Sequence, residues 1–419
     1  MREIEMSCLR KKNRFKKILL INVVLLSTSV YANDEIFSKL KTGHKVLSAP
    51  KIEKPGLHKT YIDPVFNTVI QRITDPSQVP NVKRVRHYYS KANPFNADET
   101  YAVMFGSNGS KWLYDAKTWK PIQKLILWSS EPEIQWHPTD PNKFYYLAKI
   151  NRNKYPRGMF VYDIKSNTRK LLNDFNEYKK IRGKLEGNMD KLGRYYAMLG
   201  EQGSIRDIFV YDVLKNTISK KDPVSKYVAS DWVSVSPSGR YVVAMGKYRS
   251  RIYDINMKLL HDLPRGTYGH GDLCLGSNGD EFLVFDGADY EIDGNRNINI
   301  ANLKTGKLDI LVRIGWRSTP HVSCRNLDKP GWALISTQGP DRKYPNHDYE
   351  IFWVKLDGSR EVRRVAHHRS NRKNGGYFAE QQAVTNKTGT KIIFASNWGE
   401  GDVADYLIDL NLSGIKRPK

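Results

Sequence analysis

Histidine is scarce in this 419-residue chain, ten residues in all, and several of its occurrences share one context. Gly269-His270-Gly271-Asp272-Leu273-Cys274, Pro320-His321-Val322-Ser323-Cys324 and His367-His368, the last followed by Gln381-Gln382, each adjoin a short apolar stretch. Imidazole nitrogen, thiolate sulfur and amide oxygen drawn together from separate segments suit Zn²⁺ or Mn²⁺. The candidate metal ligands are His270, His321, Cys324, His368 and Gln382. Along an extended strand His270 and Cys274 face the same way, whereas His321 and Cys324 face opposite ways unless a bulge intervenes. His321 is therefore the better ligand candidate. Cys274 and Cys324 keep two other readings, a disulfide or a pair of buried thiols.

A second chemistry is cationic and aromatic. Arg84, Arg86, His87, Tyr88, Tyr89, Ser90 and Lys91 crowd together, with Asn93 just beyond. Lys247-Tyr248-Arg249-Ser250-Arg251 and Asp341-Arg342-Lys343-Tyr344 repeat the mixture. A guanidinium grips a carboxylate or sulfate through two N–H groups while a tyrosine ring packs on a sugar face. Arg86, Tyr89, Lys91, Asn93, Arg342 and Tyr344 are accordingly candidate residues for binding an acidic sugar. Solvated loop charge explains any single cluster equally well.

What positions these groups is a repeat. An apolar strand ending in Tyr-Asp recurs as Leu113-Tyr114-Asp115, Val161-Tyr162-Asp163, Val210-Tyr211-Asp212 and Ile252-Tyr253-Asp254. Weaker copies are Ile300-Ala301-Asn302, Val354-Lys355-Leu356-Asp357 and Ile408-Asp409. About one hairpin earlier each time, an Asp, Asn or Gly turn precedes another apolar strand, as in Ser236-Pro237-Ser238-Gly239-Arg240 before Tyr241-Val242-Val243-Ala244. The turn residues reverse the chain and the Val, Ile and Tyr residues favour strand. A unit of four strands at this spacing has the length of a propeller blade, and seven units predict an all-β, seven-bladed β-propeller. A pair of β-sandwiches is the competing fold. One short helix is expected around 175–184, and an outer strand near 66–75 is expected to close the ring. Polar residues then gather where each innermost strand begins: Asn93 and Asn96, Glu133, Gln135 and His137, Glu186 and Asn188, Asp231, His270 and Asp272, His321 and Ser323, Gln381 and Gln382. The plain alternative is that they hydrogen-bond loop backbones.

Residues 1–32 read as a secretory signal. Arg10, Lys11, Lys12, Arg14, Lys16 and Lys17 precede the short apolar core Ile18 to Leu26, and Val30-Tyr31-Ala32 suits a cleavage site. Residues 33–60 then form an N-terminal extension and 61–419 the propeller. No apolar run is long enough to span a membrane, so the expected location is secreted or periplasmic. With 68 Lys and Arg against 44 Asp and Glu, the chain carries a formal charge of +24, which concentrates polyanions around it. Export makes nucleic acid a poor partner and an acidic polysaccharide a good one. A solubility role for the charge is the bland reading.

The segments Arg86-His87-Tyr88-Tyr89-Ser90-Lys91-Ala92-Asn93-Pro94-Phe95-Asn96, Trp136-His137-Pro138-Thr139-Asp140-Pro141, Gly269-His270-Gly271-Asp272 and His321-Val322-Ser323-Cys324-Arg325-Asn326 resemble exported propellers of the oligogalacturonate-lyase/ulvan-lyase-like group. Pro330-Gly331-Trp332-Ala333 and Phe394-Ala395-Ser396-Asn397-Trp398-Gly399 add to the likeness, which runs from about Tyr61 to the C-terminus. The resemblance implies cleavage of a uronic-acid polysaccharide by β-elimination, with a histidine and a tyrosine exchanging protons and an arginine or metal ion neutralising the carboxylate. Carried onto this chain, the catalytic candidates are His87, His270, Tyr248, Arg249 and Arg251. Asp231-Trp232 stands where an Asp-Tyr pair would have supplied a tyrosine, and Asn188 where a histidine would have served. The alternative function is a non-catalytic propeller that binds glycan or an envelope protein.

Overall fold

The structure, a computed structural model, describes residues 35–151, 154–183, 186–288, 296–314, 318–339, 346–399 and 401–413. The expected signal segment and the candidate residues Arg342 and Tyr344 lie outside these. Among the described residues no helix is long and apolar enough to cross a membrane.

The chain is nearly all β, 42% strand and 5% helix. Its repeating unit is a four-stranded antiparallel meander. Gln135–Trp136, Lys143–Ala148, Gly158–Asp163 and Thr168–Asp174 form one; Trp232–Val235, Tyr241–Met245, Ser250–Asp254 and Leu259–Asp262 form another. Gly271–Leu275, Glu281–Ala288, Arg296–Asn302 and Leu308–Arg313 repeat the pattern. Lys180–Arg182, Tyr195–Gln202 and Ile205–Asp212 form a sheet whose outer strand is split in two, Thr217–Ile218 and Asp222–Pro223. His321–Ser323, Trp332–Ser336, Glu350–Lys355 and Val362–His367 acquire a fifth strand, Lys41–Thr42, from the N-terminal extension.

The remaining strands make a nine-stranded sheet of two meanders. One contains Val85–Arg86, Tyr101–Gly106, Lys111–Asp115 and Pro121–Leu125. The other contains Val384–Thr385, Lys391–Ser396 and Ala404–Asp409, extended by Val69–Arg72 and Thr60–Ile62. A single parallel pair, Ala404 with Val85, joins them. Val69 pairs with Asp409 and Arg72 with Tyr406, so an N-terminal strand completes the last meander. Successive meanders packed face to face around an axis make a β-propeller.

The Tyr-Asp repeat has a local cause. The carboxylates of Asp115, Asp163, Asp212 and Asp254 accept backbone N–H groups two to four residues ahead, which turns the chain. Asn302, Asp357 and Asp409 do the same in the weaker copies. Tyr114, Tyr162, Tyr211 and Tyr253 are buried between sheets. Among the described residues the apolar clusters lie between neighbouring sheets rather than in one central core, for example Trp232, Val243 and Ile252 against Leu273, Leu283 and Ala301. Each such large side chain removed from water contributes roughly 1.5–3 kcal/mol. The helix expected around 175–184 is absent from the described residues there, since Lys180–Arg182 is strand. Helix occurs instead at Arg372–Gly375, followed by a 3₁₀ turn at Gly376–Ala379. This insertion lies between Val362–His367 and the inner strand Val384–Thr385.

Candidate functional site

The inner strand Gly271–Leu275 presents His270 at its entry. The His270 backbone N–H donates to the buried Asp286 carboxylate, which also takes an ion pair from Arg296. Gly269 makes this approach possible: at φ +120° it adopts a conformation other residues rarely reach, and a Cβ there would meet the Asp286 carbonyl oxygen at 2.1 Å. The His270 ring Nδ1 lies 2.9 Å from the Pro320 carbonyl oxygen. A carbonyl only accepts, so Nδ1 carries the hydrogen and Nε2 carries the lone pair. Side-chain exposure of 30% leaves the ring reachable.

Behind His270 lies His321, its ring stacked at 4.3 Å and 14°. His321 is fully buried, and neither ring nitrogen has a hydrogen-bond partner among the described residues. Burial, then the adjacent His270 and the cations Arg86, Arg296 and Arg372, push its imidazole well below the usual histidine range. Its Nε2 is 3.5 Å from Glu380 Oε2. Burial raises the Glu380 carboxyl, although Arg372 Nε, 3.0 Å away, pulls against it. Tyr89 meets His321 edge-on at 5.5 Å, and burial followed by the charge of Glu186 holds its hydroxyl protonated well above the usual range.

From Tyr89 a groove of about 430 Å³ opens between Arg84, Tyr88, Glu131, Glu186 and Tyr377. Tyr88 packs on Phe105 at 4.8 Å, and the Arg84 guanidinium lies 3.3 Å over the Phe378 ring. Protonated tyrosines and a guanidinium thus line one aromatic cleft, and the His270 imidazole stands one ring behind it, across His321 from Tyr89.

The other expected residues divide. Arg86 is a buried strut, donating to the His87 and Phe378 carbonyls and to Gln382 Oε1. Lys91 is buried, paired with Glu186 at 2.6 Å and set 4.0 Å over Trp232. His87 is fully buried, with Nδ1 on Asp405 and Nε2 on the Gln382 carbonyl, so it has no nitrogen to offer a ligand. That corrects its assignment as a proton-transfer residue. Asn93 lines a different cavity, of about 280 Å³, with Asn188 and Arg325. Asn96 and His137 stabilise turns through Tyr101 N and Asp140 N. Tyr248, Arg249 and Arg251 line a further cavity that shares no residue with the groove.

The five-residue metal set does not fit. Cys324 is disulfide-bonded to Cys274 and has no thiolate to give. His368 spends Nε2 on the Thr337 carbonyl and Nδ1 on Ser370 N–H, and burial pushes it down to about 4. Gln382 Oε1 accepts from Arg86. His270 and His321 do meet, but among the described residues no group of three or more His, Cys, Asp or Glu side chains is placed to hold an ion. Sequence reasoning missed Asp286, Arg296, Arg372, Tyr377 and Glu380. For Arg372, Tyr377 and Glu380 the available signal was the insertion at 372–380, which breaks the spacing of the repeat; Asp286 and Arg296 sit in regular strands and carried none.

No protein-family model matches the sequence, and no curated protein matches it. Among solved structures, the fold is similar to an oligogalacturonate lyase from Vibrio parahaemolyticus, with a TM-score of 0.58 and 12% identity over 84% of this chain and 96% of that one. It is similar also to an oligogalacturonate lyase in complex with manganese, with a TM-score of 0.57 and 13% identity over 86% and 98%. At such identity the likeness concerns the fold alone, that of a β-propeller.

Proposed function

We propose that this protein is an exported seven-bladed propeller that binds an acidic, uronate-bearing polysaccharide and cleaves it by β-elimination. Counting the nine-stranded sheet as two blades supports seven; residues 1–32 are the signal, 33–60 the extension and 61–419 the ring. The observation that carries the activity is His270, whose Nδ1–H is tied to Pro320 so that its Nε2 lone pair is free, and whose ring stacks on His321, which in turn meets Tyr89 of the arginine-bearing groove. Shared fold with oligogalacturonate lyases supports the same reading.

In the step proposed, His270 Nε2 takes the proton on the carbon next to the uronate carboxylate. The freed electron pair forms the ring C=C bond and expels the glycosidic oxygen. Tyr89 or Tyr88, kept protonated by burial, donates a proton to that oxygen. Arg84 and Arg372 are the guanidiniums placed to offset charge on the carboxylate.

The test is incubation of the exported chain with pectate, ulvan and glycosaminoglycans, read by the ultraviolet absorbance of the unsaturated product. Absorbance that grows with wild type and not with His270→Ala supports the proposal. Binding without any absorbance change would make the protein a glycan-binding propeller instead.

A further inference from the structure

The cavity formed by Tyr227, Tyr248, Arg249, Arg251 and Arg265 is unused by that chemistry. It measures about 470 Å³. Among the described residues its lining includes no carboxylate; Asp262, outside the lining, lies 3.7 Å from Arg249 and 3.3 Å from Arg251. Among the described residues Arg265 forms no ion pair; its guanidinium sits 5.5 Å over the Tyr248 ring. Lys247 lies 5.0 Å over the same ring and Lys226 5.1 Å over Tyr227, so five cations gather about the cavity and only two of them face Asp262. The two tyrosine rings are 5.9 Å apart, and both are substantially exposed.

The cavity is built rather than incidental. Three loops are laced by backbone bonds: Lys247 N to Tyr227 O at 3.1 Å, Gly266 N to Tyr248 O at 2.8 Å and Gly246 N to Arg249 O at 3.0 Å. Buried Ser250 adds two bonds to Thr267. A Cβ at Gly246 would meet the Tyr227 carbonyl at 2.4 Å, so glycine permits the close approach. Arginines fixed on a bonded framework lose little freedom when they grip an anion.

The location gives the ligand. Arg265 lies on the loop that ends at His270, and five residues of extended chain bridge no more than about 18 Å. We infer that this cavity is a second subsite, which holds a carboxylate- or sulfate-bearing sugar a few residues along the same acidic chain whose cleavage is proposed at His270; the inference rests on that reading. Guanidiniums take the anionic group and Tyr227 or Tyr248 packs on the sugar ring.

Affinity electrophoresis of the full exported chain through gels containing pectate (carboxylate only) or heparin (carboxylate and sulfate) tests it. Wild type, His270→Ala, Arg249→Gln/Arg265→Gln and Tyr248→Leu are compared, with melting curves to confirm folding. The expected result is retardation of wild type and of His270→Ala, with an affinity loss of about tenfold or more in the arginine pair and a smaller loss in Tyr248→Leu. A loss in heparin alone assigns the subsite to sulfate; a loss in both gels assigns it to carboxylate. Retardation of the folded arginine variant equal to wild type overturns the subsite and leaves the elimination reading intact. Failure of wild type to bind either polymer overturns both.

Discussion

His270 and His321 are the same residue type 4.3 Å apart, yet their surroundings give them different work. A carbonyl fixes a proton of His270 on Nδ1 and leaves its Nε2 without a partner among the described residues, whereas His321 is buried beside cations that push its imidazole well below the usual range. His270→Ala should therefore lower turnover by about 10²–10⁴-fold while polymer binding persists, which paired kinetic and binding measurements would check. Glu380 gives a prediction of opposite kind. Its carboxyl is raised by burial, so the folded state holds a proton that the unfolded chain releases. Stability is accordingly lost as pH rises from the ordinary carboxylate range toward the folded value. Glu380→Gln should melt higher than wild type at neutral pH, with the gap closing in acid. Residue type and spacing pointed to His270 and His321. They misassigned His87, His368 and Cys324, because the hydrogen bonds and the disulfide that consume those atoms come from segments far away in the chain.

The elements were legible where local chemistry makes them. Each Tyr-Asp copy couples a buried ring to a carboxylate that folds the next turn, so the period shows even without alignment. The 372–379 insertion shows in the sequence only as a break in the repeat spacing, and no local pattern there tells which residues it brings near His321. Two tertiary staples yield predictions. Cys274–Cys324 joins neighbouring blades across 50 residues, and replacing both by alanine should cost about 2–4 kcal/mol in denaturant melts. The N-terminal strap is held by a charged cluster: Arg364 bonds the Lys45 carbonyl and Glu350, His367 bonds the Leu47 carbonyl, and His44 meets His347 at 3.0 Å. Burial comes first in lowering both His44 and His367. Burial pulls Glu350 upward, but hydrogen bonds from His347 and Arg364 outweigh it and hold the carboxyl low. Because the docked histidines bind fewer protons than the free strap, attachment weakens as pH falls through about 6.5. Hydrogen exchange at residues 41–47 should accelerate there, while exchange in the inner strands stays slow.

Across the whole molecule, a formal charge of +24 and two cation-bearing clefts set how affinity responds to salt. Exposed charges are screened beyond roughly 8 Å at physiological ionic strength, so polymer binding should weaken steeply with added salt. Binding of a single uronate residue, made by short contacts in the groove, should weaken far less; titrations at two salt concentrations would show it. The pairing of Val69 with Asp409 bears on biogenesis. A clasp between strands more than three hundred residues apart stays open until the second of them has emerged, so the wheel remains unlatched while everything between them is synthesised. A truncation ahead of Ala404 would leave Val69–Arg72 with a bare edge, an invitation to pair with another such chain.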